Sequence, residues 1–556
     1  MRLESFLEKF EQLADAPNAV MKMRELVLQL AGRGKLVEQL PDEEPASVLA
    51  ARIEMHFSGL RSRKELRGSP VEPLAREDLP DIPSSWEWVC LGNVVEYGSS
   101  EKADSADIPE DAWLLDLEDI EKDTSRLLRK KLFRDSPSKS TKSAFAVGDV
   151  LYGKLRPYLN KVLVADATGY CTTEIVPIRS FGFIEPAYLC LALKRPEFIA
   201  YANSKSYGMN LPRLGTQDAR NAPFPLPPLA EQTRIVAKVD ELLALCDRLE
   251  ALQQERQAQN AVLARSSLAR FADSPNPASL SLLFHSAYTI EPTDLRKAIL
   301  TLGIQGRLVP QDPGDEPAQE MLAKIAVEKE RLSESGALKA DKKAWVNSSS
   351  NPPYDIPESW CWVRLQDVFE ISRGGSPRPA GDPRFFGGPI PWITVGELTK
   401  DAGKYLMETA TGLTDEGADR SRFINPGDLL LTNSGATLGV PKISKIRGCI
   451  NDGVAVLRIF HSFALNEFAY LYLTHQTPAF RKVNQGMGQP NLNTPIIAGW
   501  FLPLPPLAEQ RRIVRAVDQL MALVERLDSD LRNATSTSAR LLEAIVSEVT
   551  RGHSAA

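Results

Sequence analysis

Cysteine is scarce in this chain: six among 556 residues, at Cys90, Cys171, Cys190, Cys246, Cys361 and Cys449, with no C-x-x-C pair. Disulfide frameworks and zinc sites need clustered spacings, so these thiols are expected to be reduced and mostly buried. Histidine is scarcer still, five residues with no H-E-x-x-H pattern, which argues against a metal centre. No stretch reaches the ~18 uninterrupted apolar residues of a membrane helix. The opening Met1-Arg2-Leu3-Glu4-Ser5 lacks the apolar core of a secretory signal. A cytoplasmic protein with no membrane contact is expected. Neither sign of charge dominates, 66 basic residues standing against 72 acidic ones for a net −6, which by itself argues mildly against a nucleic-acid partner.

What is present is ordinary globular composition, 43% hydrophobic and 25% charged, in a chain too long for a single core. The charge is unevenly placed. Glu101 to Asp123 holds ten acidic residues against Lys102 and Lys122, while Arg126 to Lys161 holds ten basic ones against Asp135 and Asp149. Either the module is polarised or the two runs neutralise each other.

The chain is also written twice. Pro225-Leu-Pro-Pro-Leu-Ala-Glu-Gln232 recurs as Pro503-Leu-Pro-Pro-Leu-Ala-Glu-Gln510, shifted by 278 positions. Ile82-Pro-Ser-Ser-Trp86 recurs as Ile356-Pro-Glu-Ser-Trp360, and Gly34-Lys-Leu-Val37 as Gly306-Arg-Leu-Val309. Gly148-Asp-Val150 pairs with Gly427-Asp-Leu429. Signposts kept in one order mean two copies of one unit. Each copy predicts a helix (24–36, 295–308), a second after a Glu-Pro pair (46–54, 318–332), then a mixed region with short strands at 149–152, 161–164, 428–432 and 454–459. A Pro-rich exit should end each ladder, because Pro cannot donate to one.

A long helix follows each exit. Ile235, Val239, Leu242, Cys246 and Leu249 alternate at spacings of four and three, as do Ile513, Val517, Leu520, Val524, Leu527 and Leu531, the seam of a coiled coil. Glu231 to Phe271 and Glu509 to Val549 both span 40 positions, or ~60 Å at ~1.5 Å per residue. Antiparallel pairing of two such rods would make a ruler.

Two motifs imitate catalytic sites. Asn351-Pro-Pro-Tyr354 matches the tetrapeptide that holds a flipped adenine in N6 methyltransferases, but a polar linker, Val346-Asn-Ser-Ser-Ser350, precedes it where an apolar strand is required. Gly148-x4-Gly153-Lys154 resembles a phosphate loop, but Leu155 stands where Ser or Thr would bind magnesium. No catalytic residue, cofactor-binding residue or metal ligand is assigned to this chain.

The loops are more informative. Lys154, Arg156, Tyr158, Asn160 and Lys161 form a basic, aromatic-interleaved stretch suited to phosphates and base edges. Its counterpart carries Asn433, Ser434, Thr437 and Lys442. A second loop pair holds Tyr207, Asn210 and Arg213 in one copy and Gln489 and Asn491 in the other, with Arg373 and Arg378 as further basic candidates. Matched scaffolds with unlike loop side chains suit two readers of two base sequences.

With these features the chain resembles the specificity subunit of type I restriction–modification enzymes over nearly its whole length. The resemblance implies an α+β fold: two tandem target recognition domains of mixed α/β character separated by two long antiparallel coiled-coil helices. The segments expected are an N-terminal helical part (1–75), domain 1 (76–228), a spacer helix (229–273), a central helical segment and linker (274–350), domain 2 (351–506) and a second spacer helix (507–556). The shortest family layouts lack a helical segment like 1–75. Implied partners are double-stranded DNA, two methyltransferase subunits binding S-adenosylmethionine, and restriction subunits using ATP and magnesium. The chain itself would carry no cofactor. The alternative is an adaptor whose coiled coil spaces two protein-binding domains.

Overall fold

A computed structural model describes residues 16–63, 65, 70–74, 79–136, 140–336, 352–460, 466–483 and 491–551. They divide into two units, one made of 1–256 with 533–556, the other of 257–532. Each long helix starts in one unit and ends in the other: Leu229–Asp273 leaves the first and Leu507–Arg551 returns to it. In unit 1, Ile235, Val239, Leu242 and Cys246 from the start of one helix share a core with Leu542 and Val549 from the end of the other. Unit 2 mirrors this, with Ile513, Val517 and Val524 sharing a core with Phe271. Burying each such side chain is worth about 1.5–3 kcal/mol.

Unit 1 holds a four-stranded sheet in the order Glu96–Tyr97, Ile175–Arg179, Val150–Gly153, Val162–Val164. Its second sheet, of five strands, is built on Lys142–Phe145, Gly169–Cys171 and Trp113–Leu115. In unit 2 the counterpart of the four-stranded sheet has five strands: Phe369–Arg373, Val454–Ile459, Leu429–Thr432, Pro441–Ser444 and Tyr405–Leu406. The Gly-Asp signposts turn into the central strand of each. Gly148 and Gly427 adopt φ of 86° and 97°, a region in which Cβ is disfavoured. The following Asp149 and Asp428 accept from the amides of Ala146 and Asn425.

The other three signposts are one structure. Trp86 Nε1 donates to Glu231 Oε2 at 2.9 Å and Gln39 Nε2 to Oε1 at 2.6 Å, while Ser85 holds Gln39 from behind. Unit 2 repeats this with Trp360, Gln311 and Ser359 around Glu509. Gly34 (φ 64°) and Gly306 (φ 69°) lie so near Pro83 and Pro357 that a Cβ would meet the proline ring at 2.4 or 2.5 Å. Gln232 and Gln510, both fully buried, donate to the carbonyls of Pro227 and Pro505. The repeated words thus join the N-terminal helices, the sheet and the long helix of each copy.

Two expectations change. The Pro-rich exits do not end a ladder. Pro223–Leu226 and Phe501–Leu504 are strands, paired antiparallel with Glu87–Cys90 and Cys361–Arg364. Each ladder has only two strands, and prolines at alternate positions leave the amides between them to donate. The first helix spans Ala19–Gly32 and not 24–36, because Gly34 turns left-handed. Of the two alternatives for the charge runs, mutual neutralisation holds in part: Arg126 pairs with Glu121, Arg129 with Glu118 and Asp119, and Lys131 with Asp116, Glu118 and Asp119.

Candidate nucleic-acid interface

The loops that follow the central strands meet two others in each unit. In unit 1, Lys154 N donates to Glu174 O at 3.0 Å and Lys154 O accepts from Leu214 N at 3.0 Å. In unit 2, Asn433 N donates to Gly453 O at 2.9 Å and Asn433 O accepts from Leu492 N at 2.7 Å. Bridges Leu155–Arg213 and Ser434–Asn491 lie one residue further on. The two candidate loops of each copy are therefore a single site with a third segment (172–174, 451–453) between them. The third segment escaped sequence reasoning. Thr172-Thr-Glu174 and Asn451-Asp-Gly453 share no residue, and only strand pairing brings them in.

The side chains on this frame differ. Arg156 adopts φ 52° and caps a short 3-10 turn, Pro157–Leu159. Its amide donates to Pro212 O at 2.7 Å and Nη2 to Asn210 O at 3.4 Å. Tyr158, Tyr207 and Asn210 are exposed. Asn160, left-handed at φ 49°, gives its carbonyl to Ser125. Arg213 forms a forked pair with Glu174 at 3.0–3.1 Å, which raises its pKa.

Unit 2 is more neutral. Asn433 is 2% exposed, and the side-chain oxygens of Asn433 and Asn491 are buried without a hydrogen-bond partner among the described residues. Ser434 and Thr437 are half-buried, the Thr437 carbonyl accepting from Thr432 Oγ1. Arg373 and Arg378 join the site through the third segment: Arg373 Nε donates to Asp452 O, and Arg378 lies 3.7 Å from the Asp452 carboxylate. Gly374 is required there, since a Cβ would meet Asn451 O at 2.2 Å. Gln489 lies outside the described residues, as does Asn351 of the methyltransferase-like tetrapeptide. Tyr354 of that tetrapeptide packs on Trp362, and its hydroxyl donates to Ile304 O.

Three candidates are corrected. Asn433, whose backbone joins the frame, keeps its side chain inside the unit and offers no edge to a ligand. Lys442 is 1% exposed on strand Pro441–Ser444, and its ammonium is held by Asp401. The sequence places it at the end of a polar loop, but the strand's pleat turns it inward. Lys161 donates to Leu117 O at 2.7 Å, and burial lowers its pKa. Lys154 has no ion pair among the described residues and remains a candidate for phosphate contact. Accordingly, Lys154→Ala should shallow the salt dependence of DNA binding by about one phosphate's worth. Lys161→Ala should leave that slope unchanged and lower thermal stability. A salt titration and a melting curve on each variant test this, and equal slopes for Lys154→Ala and the parent would remove Lys154 from the interface. The phosphate-loop lookalike has no free amides to cradle a phosphate: Gly153 lies within a strand and donates to Lys161 O, and the Lys154 amide goes to Glu174 O.

Two units of one design, each ending in a three-segment loop site with its own side chains, define a tandem DNA-specificity protein. The family described as type I restriction modification DNA specificity domain matches at residues 83–260 and 357–533. The chain belongs to that family, in two copies. It is 29% identical to the EcoAI type I restriction enzyme specificity subunit of Escherichia coli, over 95% of this chain and 93% of that one. It is 27% identical to the EcoEI specificity subunit of the same organism, over the same shares. A solved chain from work on complex assembly and conformational transition of the type I R-M system aligns with a TM-score of 0.50 at 24% identity, covering 85% of this chain and 100% of that one. That last likeness concerns the fold. None of these matches supports the adaptor alternative. Among the described residues no helix is long and apolar enough to cross a membrane.

Proposed function

We infer that this chain reads a bipartite, asymmetric DNA site for a type I restriction–modification complex, one half-site per unit. It brings two methyltransferase subunits, which bind S-adenosylmethionine, to the adenines to be methylated, and restriction subunits, which use ATP and magnesium, to the same site. The chain supplies recognition and no bond-breaking step. The observation that carries this reading is the three-segment site: identical backbone hydrogen bonds in both units hold Lys154, Glu174 and Arg213 in one and Asn433, Gly453 and Asn491 in the other. A fixed frame with exchangeable donors and acceptors is what base-edge readout needs. Lys154 and Arg156 supply phosphate contacts that position the frame, and Arg213, forked onto Glu174, orders the loop that meets them.

The test is a module exchange. Replacing residues 82–224 with another recognition domain should change one half of the methylated site and keep the other, read by sequencing methylated adenines in a host carrying the methyltransferase partner. Simultaneous change of both halves would mean the units do not read independently. Purified alone, the chain should transfer no radiolabelled methyl group to DNA.

A further inference from the structure

Unit 1 exposes several large apolar side chains where it should meet DNA: Tyr158, Tyr207, Met209 and Leu211, at 49%, 63%, 100% and 44% exposure. Three of them lie on one short loop, and that loop is braced. Tyr207 and Arg213 exchange both backbone hydrogen bonds, at 3.1 and 2.9 Å, closing residues 208–212 between them. Gly208, at φ 101°, makes the turn, and a Cβ there would come within 3.0 Å of Leu211 O. Arg156 adds a strut from the neighbouring loop, to Pro212 O and Asn210 O. Met209 is thus held out at a fixed apex, wholly in water.

A clustered apolar tip marks a contact surface. Its surroundings select the partner. Lys154 and Arg156 stand beside it, a cationic edge that suits phosphates, while the charge of Arg213 is met by Glu174. The matching positions of unit 2 carry Asn433, Ser434 and Asn491 in place of Lys154, Leu155 and Arg213. Gly208-Met209 recurs in the sequence as Gly486-Met487, so what differs between the two half-site readers is the residues around the methionine.

We propose that Met209 is a wedge: it enters the half-site read by unit 1, unstacks one base step and bends the duplex there. This rests on the reading of unit 1 as a DNA reader. An unbranched, polarisable thioether adapts to the gap between two bases. The cost of unstacking is offset by the added protein–DNA contact that the bend permits. Specificity would then include how readily the contacted step opens, as well as which base edges it presents.

The experiment uses the full chain assembled with its methyltransferase partner and a duplex bearing the mapped site. End-labelled dyes report the bend by energy transfer, and 2-aminopurine placed at each step of the half-site, away from the methylated adenine, reports unstacking. The unmodified protein should raise both signals, with the 2-aminopurine response confined to one step. Met209→Ser should lose both, retain its melting temperature because the residue packs on nothing, and bind the site more weakly, while Met209→Leu should keep most of the signal. If the assembled complex does not bind DNA selectively, the reader assignment itself fails. If it binds and Met209→Ser bends and unstacks DNA as the parent does, the wedge is overturned. Loss of methyltransferase binding with unchanged DNA signals would make the loop a protein contact and overturn it equally.

Discussion

Glu231→Ala is expected to destabilise unit 1 by about 1–3 kcal/mol, and Glu509→Ala to do the same in unit 2. Each carboxylate is 1% exposed and accepts from a buried indole and from a glutamine amide nearer the surface. Truncation leaves the buried indole donor unmet, at about 1–3 kcal/mol, while Gln39 and Gln311 keep the carbonyls of Gly34 and Gly306 as acceptors. Urea unfolding followed by tryptophan fluorescence measures the loss, and a loss below about 1 kcal/mol would show that the joint is held otherwise. Glu231→Ala combined with Trp86→Phe should cost less than the sum, since one orphaned donor is gone. Burial raises the pKa of both carboxyls, against the opposing pull of their two donors. Because the folded value lies above the unfolded one, about 4.3, the proton-linked stabilisation is complete below that value and is lost as pH rises through the folded pKa. Glu231→Gln should flatten that part of the pH–stability curve. Unchanged curvature would place the titration elsewhere.

Removing one heptad from each long helix should shorten the spacer of the DNA site by about three base pairs. Seven residues at ~1.5 Å remove ~10 Å, or about three steps of ~3.4 Å. The structure dictates where to cut. Ile235 to Cys246 and Ile513 to Val524 are core of the two units, so shortening there would break packing. Gln253 to Gln259 and Asp530 to Ser536 are exposed or half-buried, and deleting both stretches keeps the heptad phase. Both half-site sequences should persist in the methylome with fewer bases between them. A folded, active double deletion that still demands the original spacer would show that the helices do not set the distance. A deletion in one helix alone should destabilise the protein.

The repeat, the long helices and the two loops of each copy were legible in the linear sequence, because each is a local pattern. An eight-residue identity, a 4-3 alternation of apolar residues and a Gly-rich polar stretch all announce themselves without neighbours. The signposts announced their importance but not its nature: Glu231 and Trp86 lie 145 positions apart, and nothing local says that one accepts from the other. Lys161 and Lys442 looked like free cations because the carbonyl and the carboxylate that hold them, at Leu117 and Asp401, come from distant segments.

The sequence by itself determined that this is a doubled protein with two rods and two sets of unlike loops, since pattern and propensity act within a few turns of chain. Tertiary structure alone decided which loop residues share a site. Pairing of Val150–Gly153 with Ile175–Arg179 carries Glu174 to Lys154, and the frame closes when Leu214 returns to the same residue. It also decided that the loudest repeated words, Pro-Leu-Pro-Pro-Leu-Ala-Glu-Gln and Ile-Pro-x-Ser-Trp, hold the module together and leave the quieter, divergent loops at the interface. A buried donor must find its acceptor in any copy that folds, whereas an exposed loop is bound only by what it has to touch.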